Sequence, residues 1–162
     1  MTLTAGEWTL IHSSVQYGEN VVIWHRTTVR ENTVIGNNVH IGQNCMIEDK
    51  VIIKDGVRIH GGCFIPAGTI LSENVWLGPG VYIANDLYPQ TGGAFRGGTR
   101  IQKGAVIGMG ARIGPGLVIG AGSIVGMGAV VLKDVPSRTA VAGNPARTIK
   151  TSYFDVLDFF NA

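Results

Sequence analysis

Aliphatic residues recur every six positions along this chain, at Ile11, Tyr17, Ile23, Val29, Ile35, Ile41, Ile47, Ile53, Ile59, Ile65, Leu71, Leu77 and Ile83, with Tyr17 the one aromatic. Two residues before most of these stands a second small or β-branched residue, such as Val21, Thr27, Thr33, Val39, Cys45, Val51 and Val57. Side chains two apart lie on one face of a strand, so each hexad predicts a short strand with two inward positions. Three residues after the aliphatic come Asn20, Asn32, Asn38, Asn44, Gly56, Gly62, Gly68, Asn74 and Gly80, types that tolerate a left-handed backbone. Each hexad is therefore a strand plus a corner.

The phase breaks after Tyr88 and resumes unshifted at Ile101, Ile107, Ile113, Ile119, Val125 and Val131. One hexad cannot bury its own inward face, so successive hexads must wind into a coil whose turns satisfy one another's backbone groups as parallel strands. A sandwich of alternating strands would show turn signals at about 8–12 residue intervals instead of an unbroken hexad phase. Residues 89–100, with four glycines and no aliphatic in phase, predict an excursion loop. Residues 151–162 predict a short C-terminal helix capped at Thr151 or Ser152, with Tyr153, Leu157 and Phe160 on one face. The domain division is thus 1–150 for the coil and 151–162 for a helix packed on it or on a neighbouring subunit.

Composition narrows the class. The 162 residues include 24 Gly, explained by the corners, and only 6 Pro without a collagen period. The net charge of +2 is spread over single Lys and Arg residues, unlike a nucleic-acid surface. No apolar run approaches the ~18 residues of a membrane helix, and the first residues lack a leader pattern, so a cytoplasmic location is expected. Cys45 and Cys63, the two cysteines, are eighteen residues apart at inward positions and are read as reduced core residues.

The hexads, together with Lys133-Asp134-Val135-Pro136 and Gly143-Asn144-Pro145-Ala146-Arg147, resemble those of the hexapeptide-repeat acyltransferases over residues 11–150. The resemblance implies an all-β fold, a left-handed parallel β-helix with three hexads per turn. Nineteen hexads then make about six turns, roughly 30 Å of prism at the usual strand spacing. It further implies acetyl-CoA as cosubstrate, no required metal, a homotrimer with interfacial sites and a small-molecule acceptor.

Within that superfamily, Gly78-Pro79-Gly80-Val81-Tyr82-Ile83-Ala84-Asn85-Asp86-Leu87-Tyr88-Pro89 is similar to the segment that opens the active-site loop of the N-acetyltransferases of nucleotide-linked amino sugars, used in surface polysaccharides. Ala84 stands where that subgroup has Thr. Trp24-His25-Arg26 likewise resembles its Trp-His-Phe, whereas Ile59-His60-Gly61-Gly62-Cys63 departs from its Ile-Gln-Asn-Asn-Val. The resemblance assigns Asn85 and Asp86 to the reacting amine. His60 points outward after the inward Ile59 and, on three hexads per turn, falls on a different prism side from Asn85; trimer packing in the superfamily would bring it against Asn85 of the next subunit, making it a candidate base. His25, Tyr88 and Arg96 are candidate acceptor contacts. Met109, Met127, Leu132, Lys133, Arg147 and Lys150 correspond to positions along coenzyme A, and Gly108 and Gly126 would let the pantetheine approach the backbone. The zinc-binding relatives of this fold carry a second His five residues from a Gly-His; the position matching it before His60 is Asp55, so no metal site is expected.

Transfer to an amine needs placement more than a strong base. Transfer to a sugar or serine hydroxyl, with His60 removing the proton, is the alternative, and a β-helix that only scaffolds a partner is the third reading.

Overall fold

The computed structural model describes residues 2–86 and 98–150. The expected short strands are present, most of them two residues long, and stack into a left-handed parallel β-helix of about seven turns. Arg58–Ile59 shows the rule: it pairs in parallel with His40–Ile41 below and Trp76–Leu77 above. Each partner lies eighteen residues away, so three hexads close one turn. The coil is a three-sided prism. Its first face, of nine strands, carries Val21–Ile23, His40–Ile41, Arg58–Ile59, Trp76–Leu77, Val106–Ile107 and Ile124–Val125 among others. A second face of seven strands includes Phe64–Ile65, Tyr82–Ile83 and Arg112–Ile113, and a third of six includes Ile70–Leu71 and Arg100–Ile101.

Inward files of aliphatics form one continuous core. Ile41, Ile47, Ile65, Leu71, Leu77, Ile101, Ile107 and Ile119 are all at 0% exposure. Each such side chain contributes about 1.5–3 kcal/mol by leaving water. The inward threonines are satisfied by the coil itself, as where Thr27 Oγ1 donates to the Gly42 carbonyl at 2.8 Å and accepts the Cys45 N–H at 3.1 Å, whereas the buried Ser123 hydroxyl has no partner among the described residues. Cys45 and Cys63 are buried free thiols. Their Sγ atoms donate to the carbonyls of His60 and Gly78, each at 3.3 Å.

Corner backbones take positive φ at the expected Asn and Gly residues, and also at Trp8, Arg26, Lys50 and Arg138. A left-handed conformation costs a non-glycine residue roughly 1–2 kcal/mol. The turns above and below impose the conformation, through bonds such as Lys50 N–H to the Glu31 carbonyl at 3.0 Å.

Four features differ from the sequence reading. Leu3–Ala5 pairs with Val21–Ile23, adding a strand before the first predicted hexad. At the other end the phase slips: Val135 bridges Ile119 and Val141 pairs with Val125, sixteen residues away where eighteen is the rule. Two residues are missing from the corner at Lys133-Asp134, which carries the coil onward after the hexad pattern ends at Val131 and adds to the turn count. Beyond it, Arg147–Ile149 folds back antiparallel on Ala140–Ala142. Finally, Thr99 is buried and Arg100–Ile101 is a strand paired with Ile70–Leu71, so the last residues of the predicted 89–100 loop belong to the prism. Leu71 and Ile101 are register partners thirty residues apart, where eighteen is the rule, so the coil resumes in register at Arg100–Ile101. The predicted helix over 151–162 lies outside the described residues.

Candidate active site

The edge between the first and second faces is built from residues two places beyond the inward aliphatic of the first face: His25, Gln43, Gly61, Pro79, Met109 and Met127. Backbone bonds continue around this corner, from Asn44 N–H to His25 O at 3.0 Å, Gly80 N–H to Gly61 O at 2.9 Å, Gly110 N–H to Pro79 O at 2.9 Å and Gly128 N–H to Met109 O at 2.8 Å. Of the predicted residues, His25, Met109 and Met127 thus share one edge. Met109 and Met127 are exposed along it, at 54% and 75%.

The glycines beside the methionines have another cause than the one read from sequence. A Cβ on Gly78 would meet Met109 N at 2.7 Å, one on Gly108 would meet Met127 N at 2.5 Å, and one on Gly126 would meet Ala142 Cβ at 2.9 Å. Stacking of successive turns alone requires them, so they carry no separate argument for close approach by a ligand.

Below Met109 the edge opens into a hollow of about 680 Å³ lined by Trp24, His40, Gln43, Arg58, His60 and Pro79, among others. His60 is exposed there, and its imidazole packs on the Trp76 indole with centroids 4.8 Å apart. His25 does not line this hollow. Its Nδ1 accepts the Glu7 N–H at 2.9 Å, leaving Nε2 to carry the proton of the neutral ring.

Asn85 and Asp86 are half-buried on the next edge, between the second and third faces, just beyond Tyr82–Ile83. The fold therefore separates Asn85 and His60 of one chain onto different edges. Tyr88 and Arg96 lie outside the described residues. Leu132, Lys133 and Arg147 are brought together in a second hollow of about 410 Å³ near the C-terminal end of the prism, with Pro145 and Ala146. Lys150 is exposed and does not line it. Among the described residues no three His, Cys, Asp or Glu side chains converge as metal ligands, and no helix is long and apolar enough to cross a membrane.

Sequence reading missed four side chains. His40, Arg58 and Trp76 occupy the outward position of consecutive first-face strands, stacked by the register His40↔Arg58↔Trp76. Their eighteen-residue spacing was the available signal. Arg112 is the fourth: its Nη1 donates to the Gly80 and Gly110 carbonyls at 2.8 and 3.0 Å, and its guanidinium lies 4.6 Å from the Tyr82 ring centroid. It ties the donor edge to the strand that leads into Asn85.

Among solved structures, the fold is shared with the acetyltransferase domain of PglB from Neisseria gonorrhoeae in complex with acetyl coenzyme A, at a TM-score of 0.58 and 20% identity over 91% of this chain. This chain spans 57% of that one. AntD, an N-acyltransferase from Bacillus cereus solved with dTDP-4-amino-4,6-dideoxyglucose and coenzyme A, superposes at 0.64 with 19% identity, covering 97% of this chain and 89% of its own. A Bacillus cereus gene product assigned to the acetyltransferases reaches 26% identity at 0.57, over 98% of this chain and 89% of its own. No curated protein matches in sequence. The repeats at residues 15–48, 32–72 and 98–133 match those of the bacterial transferase hexapeptide (six repeats) family. The chain belongs to the bacterial transferase hexapeptide family.

Proposed function

We propose that this protein moves the acetyl group of acetyl-CoA to the amine of a nucleotide-linked amino sugar, as a homotrimer. The observation that carries the reading is the shared edge: Met109 and Met127 run directly down to Pro79 and the hollow beside His60. A pantetheine arm lying on that file would bring its thioester to the hollow. Lys133 and Arg147 at the C-terminal end have the charge for the phosphates at the arm's other end. Family membership, the Asn85-Asp86 junction and the acetyltransferase assignment of the Bacillus cereus relative support the same chemistry.

In the reaction the amine lone pair attacks the thioester carbonyl, the C–S bond breaks as the C–N bond forms, and the departing thiolate takes the surplus ammonium proton. Placement and exclusion of water supply most of the rate. Asn85, through its side-chain N–H, would hold the oxyanion or the amine. Because Asn85 and His60 of one chain stand on different edges, a complete site needs Asn85 from a neighbouring subunit, which is the ground for the trimer.

Hydroxyl transfer is the second reading, favoured by one observation: an exposed imidazole in the hollow. A thiol-release screen of acetyl-CoA against UDP- and dTDP-linked 3-amino and 4-amino sugars tests the proposal, with light scattering expected near three times 17.2 kDa. No release with any amino sugar, or turnover by a monomer, would overturn it.

A further inference from the structure

The hollow holds more than the proposed transfer uses. Arg58 projects outward from the first face and forms no ion pair among the described residues. Its strand neighbours are His40 on one side and Trp76 on the other. No carboxylate lines the hollow. Just outside it, the Arg26 guanidinium donates through Nε to Asn44 Oδ1 at 3.2 Å, which leaves its terminal N–H groups for another partner. Trp24, 51% exposed on the same rim, offers an indole face that nothing in the core requires. Trp24 and Arg58 thus line the same hollow, an exposed indole and a guanidinium without a carboxylate partner there.

Two guanidiniums, two imidazoles and an indole in and around one concavity match a particular ligand chemistry. Guanidinium groups bind phosphate oxygens in a fork and do so more selectively than an ammonium. An indole face receives a planar heterocycle. A sugar amine alone needs neither.

We infer that this hollow is the subsite for the nucleoside diphosphate of the acceptor, with Arg58 on the diphosphate and Trp24 against the base. The inference rests on the proposed function for its acceptor, and goes beyond it in naming residues that bind the non-reacting half. The first face of the β-helix itself then supplies a nucleotide site. The geometry is economical, since the diphosphate on Arg58 leaves the attached sugar beside His60 and Pro79, at the lower end of the donor edge.

The test is calorimetric titration of the intact protein with UDP, dTDP and inorganic pyrophosphate, in place of any amino sugar. Expected is saturable binding of at least one nucleotide, weakened by about 10–100-fold in Arg58→Ala, the range for loss of a charge-assisted hydrogen bond. Trp24→Ala should weaken the nucleotide and leave pyrophosphate unchanged. Coenzyme A carries a diphosphate of its own, so its affinity is measured in parallel and should not change in Arg58→Ala. Equal losses for coenzyme A and nucleotide would overturn the inference by making the hollow part of the donor site. Absence of nucleotide binding to the unmutated protein, or unchanged binding in Arg58→Ala, would also overturn it. If Arg58→Ala fails to fold, Arg58→Gln and Trp24→Ala carry the comparison. Arg58-dependent nucleotide binding without acetyl transfer to any amino sugar would remove the proposed function and keep the subsite.

Discussion

The imidazole of His60 rests against the indole of Trp76, one turn higher on the prism, with ring centroids 4.8 Å apart and planes inclined by 56°. The contact orients the ring without using either ring nitrogen, so His60 retains both for an acceptor. That arrangement suits a base or a simple acceptor contact, and the chemistry of the nucleophile separates them.

For an amine acceptor, Asn85→Ala should lower kcat by about 10²-fold if it supplies an oxyanion contact. His60→Asn should cost mainly KM. Hydroxyl transfer predicts the opposite, a loss of roughly 10²–10⁴-fold in His60→Asn. The pH–rate profiles of both variants with one acceptor decide, and a nearly dead His60→Asn beside an active Asn85→Ala would sink amine transfer.

At the donor end, Arg147 Nη1 bonds the Ala146 carbonyl at 2.9 Å, and Arg147 lines the hollow shared with Lys133. Arg147→Ala should weaken coenzyme A by about 1–3 kcal/mol, as for a hydrogen bond to a charged group. Calorimetry measures it, and kcat at saturating acetyl-CoA should be nearly unchanged, because the phosphates are remote from the reacting carbonyl. Unchanged affinity in Arg147→Ala, Lys133→Ala and Lys150→Ala alike would mean that the donor lies elsewhere.

The coil was legible because its information sits at inward positions. Ile23 through Ile83 hold phase because each is a core residue, and burial energy penalises any polar substitute there. Outward positions have no such constraint, so the eighteen-residue spacing of Arg58 and Trp76 is not repeated by like residues along the face, although they stand beside the candidate site. Val135 and Val141 escaped for a different reason: a two-residue deletion at one corner shifts the phase, while backbone pairing continues unharmed. Arg26 and Lys50 show the limit of corner rules, since a stacked turn forces positive φ on residues that do not favour it. The site residues drawn from resemblance divide between two edges, a separation that follows from three hexads per turn.

The two core thiols give a test of the packing. Its shared hydrogen bond with Cys45, together with burial, pushes the Cys63 thiol far above the usual thiol range. The thiolate is the reactive form, so Cys63 should be inert in the native state. Treatment with iodoacetamide at pH 8 should leave Cys63 unmodified in the folded protein and alkylate it in denaturant, as read by mass spectrometry. Rapid native labelling would contradict the burial of this file.

Acid stability should respond to one corner ladder. Asp55 Oδ1 accepts the Asn37 backbone N–H at 2.7 Å and the Asn37 side-chain amide at 3.3 Å, while Asn37 Oδ1 accepts the Glu19 N–H at 2.8 Å one turn below. The backbone bond first, and the side-chain bond after it, hold the Asp55 carboxyl below the usual carboxylate range. A depressed folded value means that the unfolded chain binds the proton more readily. The stabilisation is therefore fully present above the unfolded value of about 3.9 and is lost as pH falls through the lower folded one. Asp55→Asn keeps an acceptor oxygen in the ladder, as Asn37 itself does, but removes the charge. The unmutated protein should have the higher Tm at pH 7, and the difference should shrink as pH drops below about 4. Thermal melts from pH 7 down to pH 2.5 measure it; a gap between the two proteins that stays constant over that range would show that the Asp55 charge plays no part in holding the corner.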